Sequence, residues 1–143
     1  TREHREFALV FIEIDPAAGK AAELGAPAQV RILEAMGRLL RGNTRAMDAS
    51  CRYDERRFAV LLSGVGLATA HSRMEGLRRQ CATQIVVLDG HNLGFTVSMG
   101  VASFPHTAHT QEDLMSSAEA ALAEARRRGG DHVTLASIRF EGA

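Results

Sequence analysis

Three groups of side chains carry most of the chemistry this chain offers. Arg45 and Asp48 form an Arg-x-x-Asp, a flat donor fork three residues from a carboxylate. Asp54-Glu55-Arg56-Arg57 sets two acids against two guanidinium groups. Glu13 and Asp15 close an apolar run that begins at Phe7. Each group has an ordinary reading. Arg45 and Asp48 suit a solvated ion pair in a connection before a strand. The acid–base run suits a solvated hairpin tip, or a charged surface for protein contact. His106 and His109 are spaced like two metal ligands, but zinc normally takes three or four protein ligands and no others are evident. Surface histidines, and no metal, are expected there. Cys51 and Cys81 are too few for a disulfide framework and sit in apolar patterns. Buried, inert thiols in a reducing compartment are expected.

The elements that position these groups can be read from periodicity. Phe7 to Ile12 reads as a strand buried on both faces, stopped after Asp15 by Pro16, which cannot continue a ladder. A short helix is expected within Pro16 to Leu24. Pro27 suits the first turn of a longer helix. Ile32, Leu33, Met36, Leu39 and Leu40 share its face, and Gly42 is its expected stop. Ala49–Tyr53 and Phe58–Leu62 read as strands joined by a tight connection. Leu67, Ala70, Met74, Leu77 and Cys81 mark a third helix. Ile85–Leu88 and Phe95–Ala102 read as a second strand pair around the turn dipeptide Asp89-Gly90. Thr110 is the expected N-cap of the last helix, Gly129-Gly130 its end, and His132–Leu135 a final strand. The order predicts one sheet with helices on its faces.

The 143 residues suit a single domain, and 17 basic residues balance 17 acidic ones. That balance argues against a sequence-independent grip on DNA or on an acidic membrane. No apolar run is long enough to span a bilayer. The charged start, Thr1 to Glu6, predicts no signal peptide and a cytoplasmic setting. A strand so near the start predicts a domain cut from a longer chain. Lys20 is the sole lysine, so nearly all the positive charge is arginine, which makes flat bidentate contacts.

The run from Cys51 to Leu62, with Arg52-Tyr53 ahead of the charged tetrad and Phe58 after it, resembles the signature hairpin of GGDEF domains. There Arg-Tyr is followed by Gly-Gly-Asp/Glu-Glu-Phe and an apolar strand. Phe11 to Asp15 resembles the family's first strand, and Phe95 to Val101 its Thr-Val-Ser-Ile-Gly-Val strand. Ala121 to Val133 resembles its terminal helix and the Gly-Arg-Asn-x-Val after it. The spacing from first strand to hairpin is similar to that of PleD-like response regulators. The resemblance implies an α/β nucleotidyl cyclase-like sandwich, a central, mostly antiparallel sheet flanked by helices. Active members join two GTP molecules into cyclic di-GMP across a dimer, using divalent metals.

This sequence departs from that pattern at each catalytic position. Asp54 and Glu55 replace the two glycines, and would crowd and repel phosphates. Glu55 tolerates positive φ poorly, so a changed turn is expected. Arg56 replaces the metal-binding acid with a fixed positive charge, and Arg57 replaces the next acid. Glu13 stands at the other metal carboxylate. Ala21 and Val30 stand where the family reads guanine, Ala17-Ala18 where it has Phe-Lys, and Arg126 where it has lysine. The resemblance therefore implies no catalytic residues and no cyclase activity.

Arg45 and Asp48 fall where the family places its inhibitory product site. An arginine fork can donate to guanine O6 and N7, and an aspartate can accept from N1–H and the exocyclic amine. The family often adds an arginine from the third helix. Here that position is Gly76, with Arg73 and Arg79 three residues either side; a solvated helix face is their ordinary reading. The expected function is an inactive cyclic di-GMP receptor with no cofactor, acting through a homodimer or an adaptor-type protein partner, without DNA or membrane. A ligand-free interaction domain with a vestigial Arg-x-x-Asp, and a GTP-binding module without catalysis, are the alternatives.

Overall fold

The computed structural model describes residues 6–45 and 48–137. Residues 1–5, on which the leader reading rests, and the Ala46-Met47 spacer of the Arg-x-x-Asp lie outside the described residues.

The apolar run at the start forms β1 (Phe7–Ile14). It is the middle strand of a five-stranded sheet. A long connection carries α1 (Gly19–Leu24) and α2 (Ala26–Asn43). The hairpin β2 (Ala49–Arg52) and β3 (Arg57–Ser63) comes next, then α3 (Leu67–Thr83). After β4 (Val86–Leu88) and β5 (His91–Leu93) come β6 (Val97–Phe104), α4 (Gln111–Arg127) and β7 (His132–Leu135). The strand order is β2-β3-β1-β6-β7. All pairs are antiparallel except β6 with β7.

Both faces of β1 are apolar because both are covered. Ala8, Val10, Ile12 and Ile14 join a core with Ile32, Met36, Met74 and Leu77 from α2 and α3. Phe11, with Phe7 and Leu9 packed beside it, joins a smaller core with Leu114, Ala118 and Leu122 from α4. Alternation along one strand thus feeds two layers. The approach of α4 is very close at Gly100, where a Cβ would lie 2.3 Å from Ala118 O and from Leu122 N. Only a residue without a side chain fits there.

Three expectations need correction. β4 pairs with β5, not with the long strand after it, so Asp89-Gly90 closes a separate two-stranded hairpin. The expected partner from Val97 onward joins the main sheet, because its apolar face matches β1. Gly42 does not stop α2, which runs on to Asn43. The Asn43 side-chain amide donates to Leu39 O at 2.7 Å and to Gln80 Oε1 at 2.7 Å, which closes the last turn and ties it to α3. Cys51 is exposed, because β2 is an edge strand whose four residues are all exposed. Cys81 is buried as expected, and burial pushes its thiol up to about 12. Thr110 caps α4 by accepting from Asp113 N at 3.0 Å.

Candidate functional site

The hairpin turn and the end of β1 meet at one end of the sheet. Register brings Glu13 opposite Arg57 on β3 and opposite Ser98 on β6. The Glu13 side chain is 11% exposed, and cations stand at both its oxygens. Arg57 Nη2 lies 3.4 Å from Oε1, and Arg126 Nη1 of α4 lies 3.4 Å from Oε2. Arg57 also reaches Glu119 on α4 at 3.5 Å and sits 5.5 Å from the Phe11 ring centroid, within cation–π range. Its neighbour Arg56 donates from Nη2 to Ile14 O at 3.0 Å.

The turn that carries these arginines does without glycine. Among the described residues, the only non-glycine residues at positive φ are Asp89 and Asp131, so none of residues 53–57 is. Asp54 closes the turn itself, its Oδ1 accepting from the N–H groups of Arg56 at 3.0 Å and Arg57 at 2.9 Å. Arg52 clamps the outside, donating to the carbonyls of Asp54 and Glu55. Residues 53–57 thus turn without a positive φ, held by an Asx-type bond.

Asp15, beside Glu13, accepts from Thr96 and Ser98 hydroxyls at 2.6 and 2.5 Å and from Asp131 N at 2.8 Å. Gly130, at φ +82°, packs directly on this carboxylate. A cleft of about 280 Å³ lies between the β1–α1 connection and α2, lined by Pro16, Ala17, Ala18, Gln29 and Phe95. Ala21 on α1 is buried, whereas Val30 is 54% exposed on α2.

A divalent cation finds a poor donor set at this end. Magnesium wants several oxygens at about 2.0–2.1 Å in near-octahedral array. The Glu13 oxygens face two guanidinium groups, the Ile14 carbonyl takes a third, and Asp15 is engaged elsewhere. Among the described residues no three His, Cys, Asp or Glu side chains cluster as ligands. The residues present do not fit a metal. His106 lies 3.6 Å from Glu6 in an exposed contact.

The second group lies where α2, α3 and the hairpin converge. Arg45 is exposed, and its guanidinium has no hydrogen bond or ion pair to another described residue. Asp48 is different. The connection was expected to be exposed, but the Asp48 side chain is fully enclosed. Its Oδ2 accepts from Arg45 N at 2.8 Å and from Arg73 Nη2 at 2.8 Å, and its Oδ1 from Ser63 N at 3.2 Å. Burial works to raise this carboxyl. The bonds from Arg73, Arg45 and Ser63, with the charge of Arg73, outweigh it and hold the group below the ordinary carboxylate value. The same Arg73 nitrogen donates to Asn43 O at the end of α2, 3.1 Å away, and Nη1 is buried without a partner. Of the two candidate helix arginines, Arg73 is brought to Asp48. Arg79 is 66% exposed on its side chain and lies 3.8 Å from Glu75.

Sequence reasoning missed three participants. Glu119 and Asn43 gave no local signal beyond their helices, and Ser63 contributes its backbone N–H.

A sequence profile described as "Diguanylate cyclase, GGDEF domain" matches residues 1–132. The chain belongs to the GGDEF family. Diguanylate cyclase A of Treponema denticola is 27% identical over 104 residues, covering 73% of this chain and 28% of that protein. Diguanylate cyclase TpbB of Pseudomonas aeruginosa is 28% identical, covering 95% of this chain and 32% of that protein. The chain therefore spans about a third or less of these relatives. The GGDEF domain of that TpbB, as a crystal structure, matches with a TM-score of 0.84 at 24% identity, over 94% of this chain and 84% of that one. The GGDEF domain of DgcB from Caulobacter crescentus, solved with c-di-GMP, matches at 0.83 and 19% identity, over 92% of this chain and 78% of that one. These matches establish the GGDEF fold, the α/β sandwich with its flanking helices. Among the described residues no helix is long and apolar enough to cross a membrane.

Proposed function

We propose that this GGDEF domain has lost the cyclase reaction and works as a cyclic di-GMP receptor through the patch around Arg45, Asp48 and Arg73. One observation carries the first half. The oxygens that face the family's catalytic position, Glu13 Oε1 and Oε2 and Ile14 O, are each met by an arginine nitrogen at 3.0–3.4 Å. A guanidinium cannot coordinate an attacking hydroxyl and lower its pKa as a bound metal does. Ala21 and Val30 offer no side-chain hydrogen bond to guanine, which also counts against a GTP-binding module.

The second half is supported by Arg45. It is an exposed fork with no partner among the described residues, and its backbone N–H shares Asp48 Oδ2 with Arg73, an arrangement suited to guanine O6 and N7 and to phosphate. The domain resembles those of PleD-like response regulators and their non-cyclase paralogue PopA. On that reading it is a cytoplasmic adaptor-type module of a longer bacterial protein, one that passes ligand occupancy to a partner or a second copy, with a place in cell-cycle control. Such a switch requires the ligand to prefer one conformation or assembly.

The enclosed Asp48 carboxylate, with three protein N–H groups on its two oxygens, favours a second reading, an interaction domain with no nucleotide. A calorimetric titration decides between them. Binding of cyclic di-GMP at tens of micromolar or tighter, lost in Arg45→Ala, is the expected result; a flat titration of the wild-type chain defeats the receptor reading. Incubation with GTP and magnesium, followed by chromatography, is expected to yield no cyclic di-GMP.

A further inference from the structure

We propose, independently of the receptor reading, that β2 is a docking edge for a second copy of this chain, joined antiparallel about Cys51 so that two sheets become one. β2 is an edge of the five-stranded sheet, and its residues are all exposed. One bond shows which way its backbone groups point. Tyr53 N donates to Arg57 O at 2.7 Å, so Tyr53 and Arg57 form a hydrogen-bonded pair across the hairpin. Bonded and non-bonded pairs alternate along an antiparallel ladder. Cys51 with Ala59, and Ala49 with Leu61, are then bonded pairs as well, and Ser50 and Arg52 turn their N–H and C=O groups outward. Among the described residues no strand lies on that side. An unpaired row of this kind is a template for another strand.

Only one register of self-pairing serves all the outward groups. Ser50 opposite Ser50 of the second copy sets Arg52 against Asp48, whose N–H is already taken by Arg45 O at 3.0 Å. Arg52 opposite Arg52 sets like charges face to face, which is destabilising. It also sets Ser50 against Asp54, whose N–H is held by Arg57 O at 3.1 Å. Ser50 opposite Arg52 leaves no outward group unmet, and its two-fold axis passes through Cys51. The side chains suit this register. Ala49 comes opposite the exposed Tyr53 of the second copy, a small residue beside a ring. The exposed Glu55 at the tip of one copy is brought to the end of the edge where Arg45 of the other stands exposed. Cys51 shares a face with Ala59, which with Leu61, Tyr53, Leu9 and Phe11 lines an apolar groove of about 450 Å³. The axis sets the two grooves side by side on one face of the joined sheet.

The register has a chemical signature. Cys51 opposite itself is a non-hydrogen-bonded pair, with Cα atoms about 4.5 Å apart, inside the range a disulfide spans. Cys81 is buried, so Cys51 is the accessible thiol. In reducing buffer at high micromolar concentration the wild-type chain should sediment as a dimer. Diamide, which takes two electrons and two protons from a thiol pair, should then join the copies through Cys51. Cys51→Ser should remain a dimer and give no cross-link. Ser50→Pro removes an outward N–H at an edge position where a single chain tolerates proline. Cys51→Asp sets two carboxylates against each other on the axis. Both variants should be folded monomers.

A monomeric wild-type chain overturns the proposal. So does a dimer that persists in a folded Ser50→Pro or a folded Cys51→Asp, or diamide cross-linking as fast in Ser50→Pro as in the wild-type chain. If one variant does not fold, sedimentation of the other decides; if neither folds, the presence or absence of the reduced wild-type dimer and its Cys51 cross-link decides.

Discussion

Two acids in this domain are held by arginines, and they are held differently. Glu13 faces Arg57 and Arg126 at 3.4 Å each, with the Arg126 side chain 48% exposed. Asp48 meets Arg73 at 2.8 Å with no exposed side-chain surface, and adds two backbone N–H bonds. The first arrangement is a loose electrostatic replacement, with cations standing around oxygens that still touch solvent. The second is directional and dry. The lesson concerns what each region can give up. Charge at the hairpin end is redundant, since two guanidinium groups serve one carboxylate. At the patch a single carboxylate serves three donors, so losing it releases all of them.

That contrast can be broken by substitution. The largest effect is expected at Asp48→Asn, which leaves Arg73 buried without its charge partner and should cost about 3 kcal/mol in urea unfolding. The pH dependence carries a definite sign. Because folding lowers the Asp48 pKa, its contribution is full above the ordinary value of 3.8 and is lost as pH falls through and below it. The stability gap between wild type and Asp48→Asn should therefore narrow in acid; a gap that widens below about pH 4 contradicts the assignment.

Next is Arg45→Ala, which on the receptor reading removes a bidentate base contact worth about 1–3 kcal/mol and should weaken cyclic di-GMP binding about tenfold to a hundredfold. Its melting temperature should not move, since the side chain is exposed. Arg45→Lys should fail nearly as badly, because an ammonium cannot reproduce the fork. Equal calorimetric affinities in all three proteins would remove Arg45 from the site.

Smaller still is Arg126→Ala, expected to cost less than about 1 kcal/mol, as for other partly exposed ion pairs. A loss as large as that of Asp48→Asn would show that the hairpin end depends on its ion pairs as heavily as the patch does. The smallest effect is expected from restoring the family signature. Changing Asp54 and Glu55 to Gly, Arg56 to Asp and Arg57 to Glu leaves Ala21 and Val30 in place, and product chromatography should still find little or no cyclic di-GMP. Robust turnover would show that side-chain contacts to the base at those two positions are dispensable.

Much of the fold was legible because its signals are local. The apolar run of β1, the helical stripes of α2 to α4 and the Thr110 cap all depend on near neighbours in sequence. β4 misled because a turn dipeptide says where a strand ends, not which of two later strands it pairs with. At the candidate site, the motif named the residues but not their state. Whether Asp48 faces solvent depends on Arg73, 25 residues on, and on a backbone N–H of Ser63. Arg56 could be read as a cation where a metal would sit. That its guanidinium would take the Ile14 carbonyl, 42 positions away, depends on register. That the turn carries no glycine was legible. The remedy, a carboxylate of Asp54 standing in for conformational freedom, needed coordinates.

Gly100 gives the contrast between the two ends a mechanical side. With no clearance between β6 and the backbone of α4, the strand acts as the bearing on which that helix rests. Glu119 and Arg126 ride on the same helix, so their reach toward Arg57 and Glu13 is gauged from this one point of contact. A single methyl group there would lift α4 and carry both side chains outward together. The patch around Asp48, built from α2, α3 and β3, would feel no such displacement. One missing methyl group therefore sets the alignment of the hairpin end, while the other end keeps its own reference.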